Sequence, residues 1–317
     1  MQRRNFITDT TKYTLLGSLF PLGSFFQQKQ NTAPLKLIID ADTANEVDDL
    51  YAIARALLEP RLNIIGLTSA QWHTNPRTPN DSVGESQRLN EEILALMEKT
   101  TIPTPEGANF PLVNEQRPQP SEAAKFIIEQ ALAMPDGEQL SIAILGPCTN
   151  IASAVLMNPT IIPKLSVNYL GFWFNVKTNT WSKREFNTNN DPNAVNVLLN
   201  TPNLDFRVMT ATTSQHLVFE KTVMDKLLKG KGGIGDYLIN RWETYDRFWQ
   251  ATDKEKTKWT MWDVALLEAL AYPELVEEKE VTTPHDNLDR KIKVYTKIEV
   301  PAMKANFAKA FTTFLKK

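Results

Sequence analysis

The chain is almost without cysteine: Cys148 is the only one in 317 residues. An intrachain disulfide is therefore excluded, and cysteine usage gives no reading of redox compartment. A basic surplus is missing too. Lys and Arg number 35 against 37 Asp and Glu, for a formal net charge of −2, and no Lys/Arg block interrupts the balance. That composition carries no electrostatic footprint for nucleic acid. Past residue 34, no apolar run has the length of a membrane-spanning helix. There is no internal repeat and no low-complexity tract. What is present is ordinary globular material, 42% hydrophobic and 23% charged, long enough for a large core in one or two domains.

The N-terminus differs in character. Met1-Gln2-Arg3-Arg4-Asn5-Phe6-Ile7 precedes an apolar stretch, 13–26, and a polar exit, 27–34. A basic start, a short apolar region and a polar exit is the layout of an export signal. The Arg-Arg-x-Phe-Ile order is similar to a twin-arginine signal, which implies a periplasmic protein. Asp9 ahead of the apolar run and the lack of an Ala-x-Ala site suit a retained anchor in a cytoplasmic protein instead. The expectation is thus an export signal or N-terminal anchor plus linker over 1–34, followed by one folded domain over 35–317.

From residue 35 onward, strand-like runs alternate with helical periods. Strand 35–39 leads to helix 48–59, strand 62–68 to helix 82–98, strand 140–145 to helix 149–157, and strand 167–172 to helix 192–199. A further helix is marked by Ala124, Ile127, Ile128, Ala131 and Leu132, and a strand over 204–209 follows. Residues 220–271 read as mostly helical, broken by Gly230, Gly232, Gly233 and Gly235; strand 292–300 and helix 306–315 close the chain. The alternation predicts an α/β fold: an open, mainly parallel sheet with helices on both faces and a helical cap in the C-terminal third. Polar clusters follow the strands, where ligands of such sheets bind.

The densest cluster lies behind the first strand. Asp40, Asp42, Glu46, Asp48 and Asp49 place five carboxylates in ten residues on a strand-to-helix loop. Carboxylates this close repel one another unless a cation or a shared proton intervenes, and an oxygen-bound divalent metal is the simplest resolution. Two chemistries compete. Leu37-Ile38-Ile39-Asp40-Ala41-Asp42-Thr43 is similar to the strand–Asp-x-Asp-x-Thr pattern of haloacid-dehalogenase-type phosphatases, with Asp40 as nucleophile, Asp42 as acid/base and magnesium as cofactor. Its second motif would fall at Gly235-Asp236, but Asn240 stands where the pattern needs Asp, and the pattern gives Asp48 and Asp49 no role.

The second reading gives Asp48 and Asp49 a role. Asp-x-Asp followed by Asp48-Asp49, then Gly146-Pro147-Cys148-Thr149-Asn150, then Asn179 with Glu185-Phe186-Asn187 and Asp191-Pro192-Asn193-Ala194, then Trp262-Asp263-Val264-Ala265, resembles the nucleoside hydrolase family of the inosine-uridine type. The motifs fall in the family's order across residues 36–265. The resemblance implies a nucleoside hydrolase-like catalytic domain that hydrolyses the N-glycosidic bond of ribonucleosides to ribose and free base. It implies a calcium ion held by Asp42, Asp49, Asp263 and the main-chain carbonyl of Thr149. Asp48 would be the general base toward the attacking water, and Asn179, Glu185, Asn187 and Asp263 would bind the ribose. A small nucleoside is the expected partner, and a homo-oligomer is implied by the resemblance alone.

Three departures are visible. The linker between the Asp pairs is two residues longer and brings in Glu46, Gly171-Phe172-Trp173-Phe174 is bulkier than the family's strand end, and Trp262 stands where the family has His. Trp262 motivates one further alternative, a non-catalytic calcium-dependent nucleoside- or sugar-binding protein. His73, after the second strand, is a candidate for the missing leaving-group acid or a plain surface histidine. Trp72, Trp173, Phe174 and Trp181 are candidates for a base-stacking wall, with at least half of them expected in the core.

Overall fold

The apolar run ahead of the acid loop forms strand β1 (Leu35–Ala41), whose side chains divide between two cores. Leu37, Ile39 and Ala41 enter one cluster of buried residues, and Ile38 enters the other. A strand covered on both faces reads as a continuous apolar run, which is why β1 shows no polar alternation. The structure, a computed structural model, describes residues 33–247, 250 and 252–316; the 1–32 segment, on which the export reading rests, lies outside the described residues. Among the described residues no helix is long and apolar enough to cross a membrane.

After β1 come α1 (Asp48–Leu57), β2 (Leu62–Ser69), α2 (Ser82–Leu96), α3 (Glu122–Leu132), β3 (Leu140–Ile144), α4 (Thr149–Met157) and β4 (Leu165–Leu170). A small hairpin, β5 (Trp173–Asn175) and β6 (Thr180–Ser182), precedes α5 (Phe186–Asn190), α6 (Pro192–Asn200) and β7 (Asp205–Met209). The remainder comprises α7 (Ala211–Ser214), β8 (Val218–Glu220), α8 (Lys221–Leu228), α9 (Gly233–Thr244) and β9 (Lys258–Thr260), then α10 (Trp262–Ala271), β10 (Val276–Thr282), β11 (Lys291–Ile298) and α11 (Val300–Phe314).

Among the described residues, seven strands form the main sheet in the order β10-β11-β7-β4-β3-β1-β2. All neighbours are parallel except β10, which runs antiparallel to β11. Helices α1, α9, α10 and α11 cover one face, and α3, α4 and α6 cover the other. This is the expected open α/β sheet. The cap helices α8 and α9 share the core of α1: Leu228, Leu238 and Trp242 are buried with Tyr51, whose hydroxyl donates to the Leu238 carbonyl.

Several elements depart from the expectation, among them the short strand β9 inside the stretch read as helical. β10 is absent from the sequence reading because an edge strand with exposed residues (Glu277, Glu278, Lys279, Glu280) has no apolar period. The loop expected after β4 contains the β5–β6 hairpin. Helix α11 starts at Val300, earlier than 306, because Pro301 in its first turn suits the helical φ and needs no donor there.

The chain passes from β1 to β2 on one side and from there to β3 on the other side of β1. The crevice beyond the C-terminal ends of β1 and β3 is therefore the topological switch point, where ligands of such sheets bind. The turn after β3 closes tightly on the acid loop: a Cβ on Gly146 would lie 2.8 Å from Asp42 Oδ1, so only glycine permits the approach.

Candidate active site

Two helix N-termini meet at this crevice. Asp48 and Asp49 form the first turn of α1, and Asp263 lies in the first turn of α10. Neither helix has a side-chain cap, so its free N–H groups face the acids and favour negative charge there. The Asp263 N–H donates to Asp48 Oδ2 at 3.3 Å, tying the two ends together. Asp42, Asp48, Asp49 and Asp263 are all 2–3% exposed.

Asp48, Asp49 and Asp263 each bring one carboxylate oxygen within 4.8 Å of the others. Partner satisfaction divides the acids differently. Asp42 Oδ2, Asp49 Oδ1 and Asp263 Oδ1 are buried without a hydrogen-bond partner, whereas Asp48 is served by main-chain N–H groups. Asp49 and Asp263 belong to both sets. Between the other two, the unpartnered oxygen of Asp42 is the stronger requirement, since a buried carboxylate oxygen without a donor is costly unless a cation meets it. Burial pushes Asp42, Asp49 and Asp263 well above the ordinary carboxylate range, and repulsion among the neighbouring acids adds to it. Burial raises Asp48 to about 6 against the opposing N–H bonds. Hard carboxylate oxygens without donors, in mutual repulsion, suit a divalent oxygen-binding cation.

The opposite wall comes from α5. Glu185 is the N-cap of this helix: Oε1 accepts from the Asn187 N–H (3.0 Å), and Oε2 accepts from the Thr188 N–H (2.9 Å) and the Phe172 N–H (3.2 Å). Asn187 Nδ2 donates to the carbonyls of Leu145 (2.6 Å) and Leu170 (3.1 Å), so its Oδ1 is the atom left to accept from a ligand. Glu185 and Asn187 both line the pocket with the four aspartates, in a volume of about 400 Å3.

Thr149 opens α4 and is not among the residues that line the pocket; its hydroxyl donates to Asp191 Oδ2 at 2.7 Å, which leaves the main-chain carbonyl for the cation contact the family pattern implies. Asp191 in turn caps α6 through the Ala194 N–H. Asn150 donates to Asp40 Oδ1 (2.8 Å) and to the Ser69 carbonyl (3.0 Å), fastening the ends of β1 and β2. Asp40, fully buried and also accepting from the Thr68 hydroxyl, does not line the pocket. Asp236 is exposed and accepts from the N–H groups of Gly230 and Gly232. Two of the acids the phosphatase pattern requires are thus a structural staple and a loop cap.

Asn179 is not brought to this pocket. It is exposed at the turn of the β5–β6 hairpin with φ +51°, and it lines a separate polar groove with Lys183 and Asp286. The six-residue step from Asn179 to Glu185 matches a linear pattern, but the hairpin turns the chain out before Glu185 returns. His73 also lies elsewhere, with Nε2 on the Asn109 carbonyl and its ring stacked on Phe110 at 5.0 Å. Of the four aromatics, Trp173 lines the pocket, edge-to-face with Trp262 at 6.0 Å. Trp72 donates to the Ser82 carbonyl, and Phe174 packs on Trp181 at 4.3 Å.

Glu46, in the lengthened loop, does line the pocket, and Trp259 Nε1 donates to its Oε1 at 2.8 Å. Burial and the Asp48 charge push Glu46 well above its ordinary range. Asn45, Thr74, Asn75 and Phe186 also line the pocket and were not singled out from sequence. Asn75 Nδ2 donates to Asn45 Oδ1 (3.1 Å) and the Tyr245 hydroxyl donates to the Asn45 carbonyl, so three segments far apart in the chain enclose the mouth. No local pattern marks such residues.

A family model described as inosine-uridine preferring nucleoside hydrolase matches residues 37–305. A probable uridine nucleosidase 2 of Arabidopsis thaliana is 26% identical over 66% of this chain and 69% of that protein. A probable uridine nucleosidase 1 of Oryza sativa is 26% identical over 81% of this chain and 86% of its own. Among solved structures, a plant nucleoside hydrolase superposes with a TM-score of 0.71 at 20% identity, over 88% of this chain and 99% of that one. This last likeness speaks to the fold.

Proposed function

Because the chain belongs to the inosine-uridine preferring nucleoside hydrolase family, we propose that it hydrolyses the N-glycosidic bond of ribonucleosides, with calcium held by Asp42, Asp49 and Asp263. The observation that carries this reading is the set of buried carboxylate oxygens without partners on these three residues, which line a pocket large enough for a nucleoside. The main-chain carbonyl of Thr149 is the fourth protein ligand in this reading. When bound, the cation supplies Lewis acidity and an anchor for sugar hydroxyls.

The chain's own residues do the rest. Asp48, held by the Asp263 N–H, accepts the proton of the attacking water. Asn187 presents Oδ1 to a ribose hydroxyl, and Glu185 positions it by capping α5. The positive charge that develops at C1′ as the bond breaks is surrounded by carboxylates, which favours an oxocarbenium-like state over the neutral sugar. Trp173 and Trp262 form the apolar wall for the base.

The test is ribose release from uridine and inosine by protein stripped with a chelator and then supplied with calcium. Activity that is lost on stripping and restored by calcium is expected. Release that persists in fully stripped protein refutes the cation's role. Tight nucleoside binding with no release from any nucleoside favours the binding-protein alternative.

A further inference from the structure

We infer that the pocket is built for ribosides whose base is positively charged at the glycosidic nitrogen, and that Glu46 reads this charge. The inference rests on the hydrolase reading above and names its substrate class.

The first observation is electrostatic. Six carboxyl groups line the pocket, from Asp42, Glu46, Asp48, Asp49, Glu185 and Asp263, and among the described residues no Lys, Arg or His lines it. A divalent cation offsets only part of that charge. Arg247, whose charge reaches Glu46, does not line the pocket: its guanidinium sits 4.5 Å over the Trp259 ring and pairs with Asp253 at 2.8 Å.

The second observation is that no described lining residue is set aside to protonate a departing base: Asp42, Asp49 and Asp263 carry the unpartnered oxygens assigned to the cation, and Glu46 is held as an acceptor by the Trp259 N–H. Glu185 accepts N–H bonds on both oxygens, and Asp48 accepts from Asp263. The Tyr245 hydroxyl is committed to the Asn45 carbonyl, and His73 is turned to Asn109. Where an acid is expected stands Trp262, whose indole does not protonate a leaving group.

The third is how Glu46 is held. Trp259, 1% exposed, is wedged against Trp242 (5.4 Å) and Tyr245 (5.9 Å) and fixes Oε1 of Glu46. The other oxygen is left for the ligand.

A cationic base needs none of the missing chemistry. The C1′–N bond breaks, its electron pair passes to the charged ring nitrogen, and the base leaves neutral. Water adds at C1′ and its proton goes to Asp48. A neutral nucleoside would instead release an anion into an acid-lined pocket. The Trp173–Trp262 pair adds aromatic faces that attract a cation.

The test compares wild type with Glu46→Gln on 7-methylinosine and inosine, using kcat/KM for ribose release. The cation-to-neutral ratio is taken for each protein, and the quotient of the two ratios cancels intrinsic leaving ability. About a tenfold fall in this preference is expected in Glu46→Gln, carried mainly by KM. An unchanged preference overturns the inference. A rise overturns it in a different way, by showing that Glu46 gives a proton to neutral bases. In wild type alone, 1-methylnicotinamide should inhibit more strongly than nicotinamide, and this holds the inference testable if Glu46→Gln does not fold; equal inhibition refutes it. If neither riboside releases ribose, the hydrolase reading itself has failed, which is a separate result.

Discussion

Arg55→Met tests how the site carboxylates are held apart. Arg55 lies about two turns beyond Asp48 on α1, and Glu268 is on α10, which carries Asp263 in its first turn. Arg55 bonds Glu268 Oε1 and Glu59 Oε2, each at 2.7 Å, with all three side chains 1–3% exposed. The ion pair therefore clamps the two helices whose N-termini present the clustered acids. Met keeps the stem's volume and leaves two buried carboxylates. Glu59 retains the Tyr272 hydroxyl (2.8 Å) and the Arg61 N–H (3.1 Å), and Glu268 retains Asn306 Nδ2 (3.2 Å). Removing one partner of a buried pair costs about 3–5 kcal/mol, and these remaining donors favour the lower end. At about 2–4 °C per kcal/mol for a chain this large, Tm should fall by about 6–12 °C. Burial raises Glu59, but its bonds to Arg55, the Arg61 N–H and the Tyr272 hydroxyl together outweigh that and hold it below the ordinary Glu range. Stability from a lowered carboxyl is present above the unfolded pKa and is lost as pH falls through the folded one, so the deficit should shrink in acid. Thermal melts followed by circular dichroism, with calorimetric calcium titration, read both effects. Weaker calcium binding should accompany the lower Tm. Arg55→Met with Glu268→Met should recover much of the stability, because an apolar pair removes the stranded charge. A Tm change below about 2 °C for the single variant would refute the clamp.

Other outcomes follow from the site. Asp48→Asn should lower kcat by about 10²–10⁴-fold with little change in calcium affinity, measured by ribose release and calorimetry; unchanged kcat would move the base role to another carboxylate. Asn187→Ala should raise KM for nucleosides and cost about 1–3 kcal/mol of stability, since it strands the Leu145 and Leu170 carbonyls; an unchanged KM would remove Asn187 from the sugar contact. Asn179→Gly keeps the left-handed turn at φ +51° and should leave kcat/KM within about twofold; a large loss would return Asn179 to the substrate.

The α/β alternation, the acid loop and the order of the later motifs were legible because they are local. Strand β1 sends Leu37 and Ile39 to one core and Ile38 to the other, so the run is apolar throughout, and Asp48–Asp49 mark the helix start that follows. The family could be recognised from such pieces, and the family match over residues 37–305 bears it out. Asp40 and Asp42 look alike in sequence, and each keeps one buried oxygen without a partner, yet Asp40 is stapled by Asn150 and Thr68 outside the pocket, while Asp42 lines it. Asn179 looks like a site residue until the β5–β6 hairpin carries it to an exposed turn. Glu46 had no assignable place until Trp259, 213 residues on, was seen to hold it. Short-range patterning determines which segments become strands and helices, because propensity and periodicity act over a few residues. Which side chains find partners, and which are left facing a ligand, is decided by contacts between segments that only the folded sheet brings together.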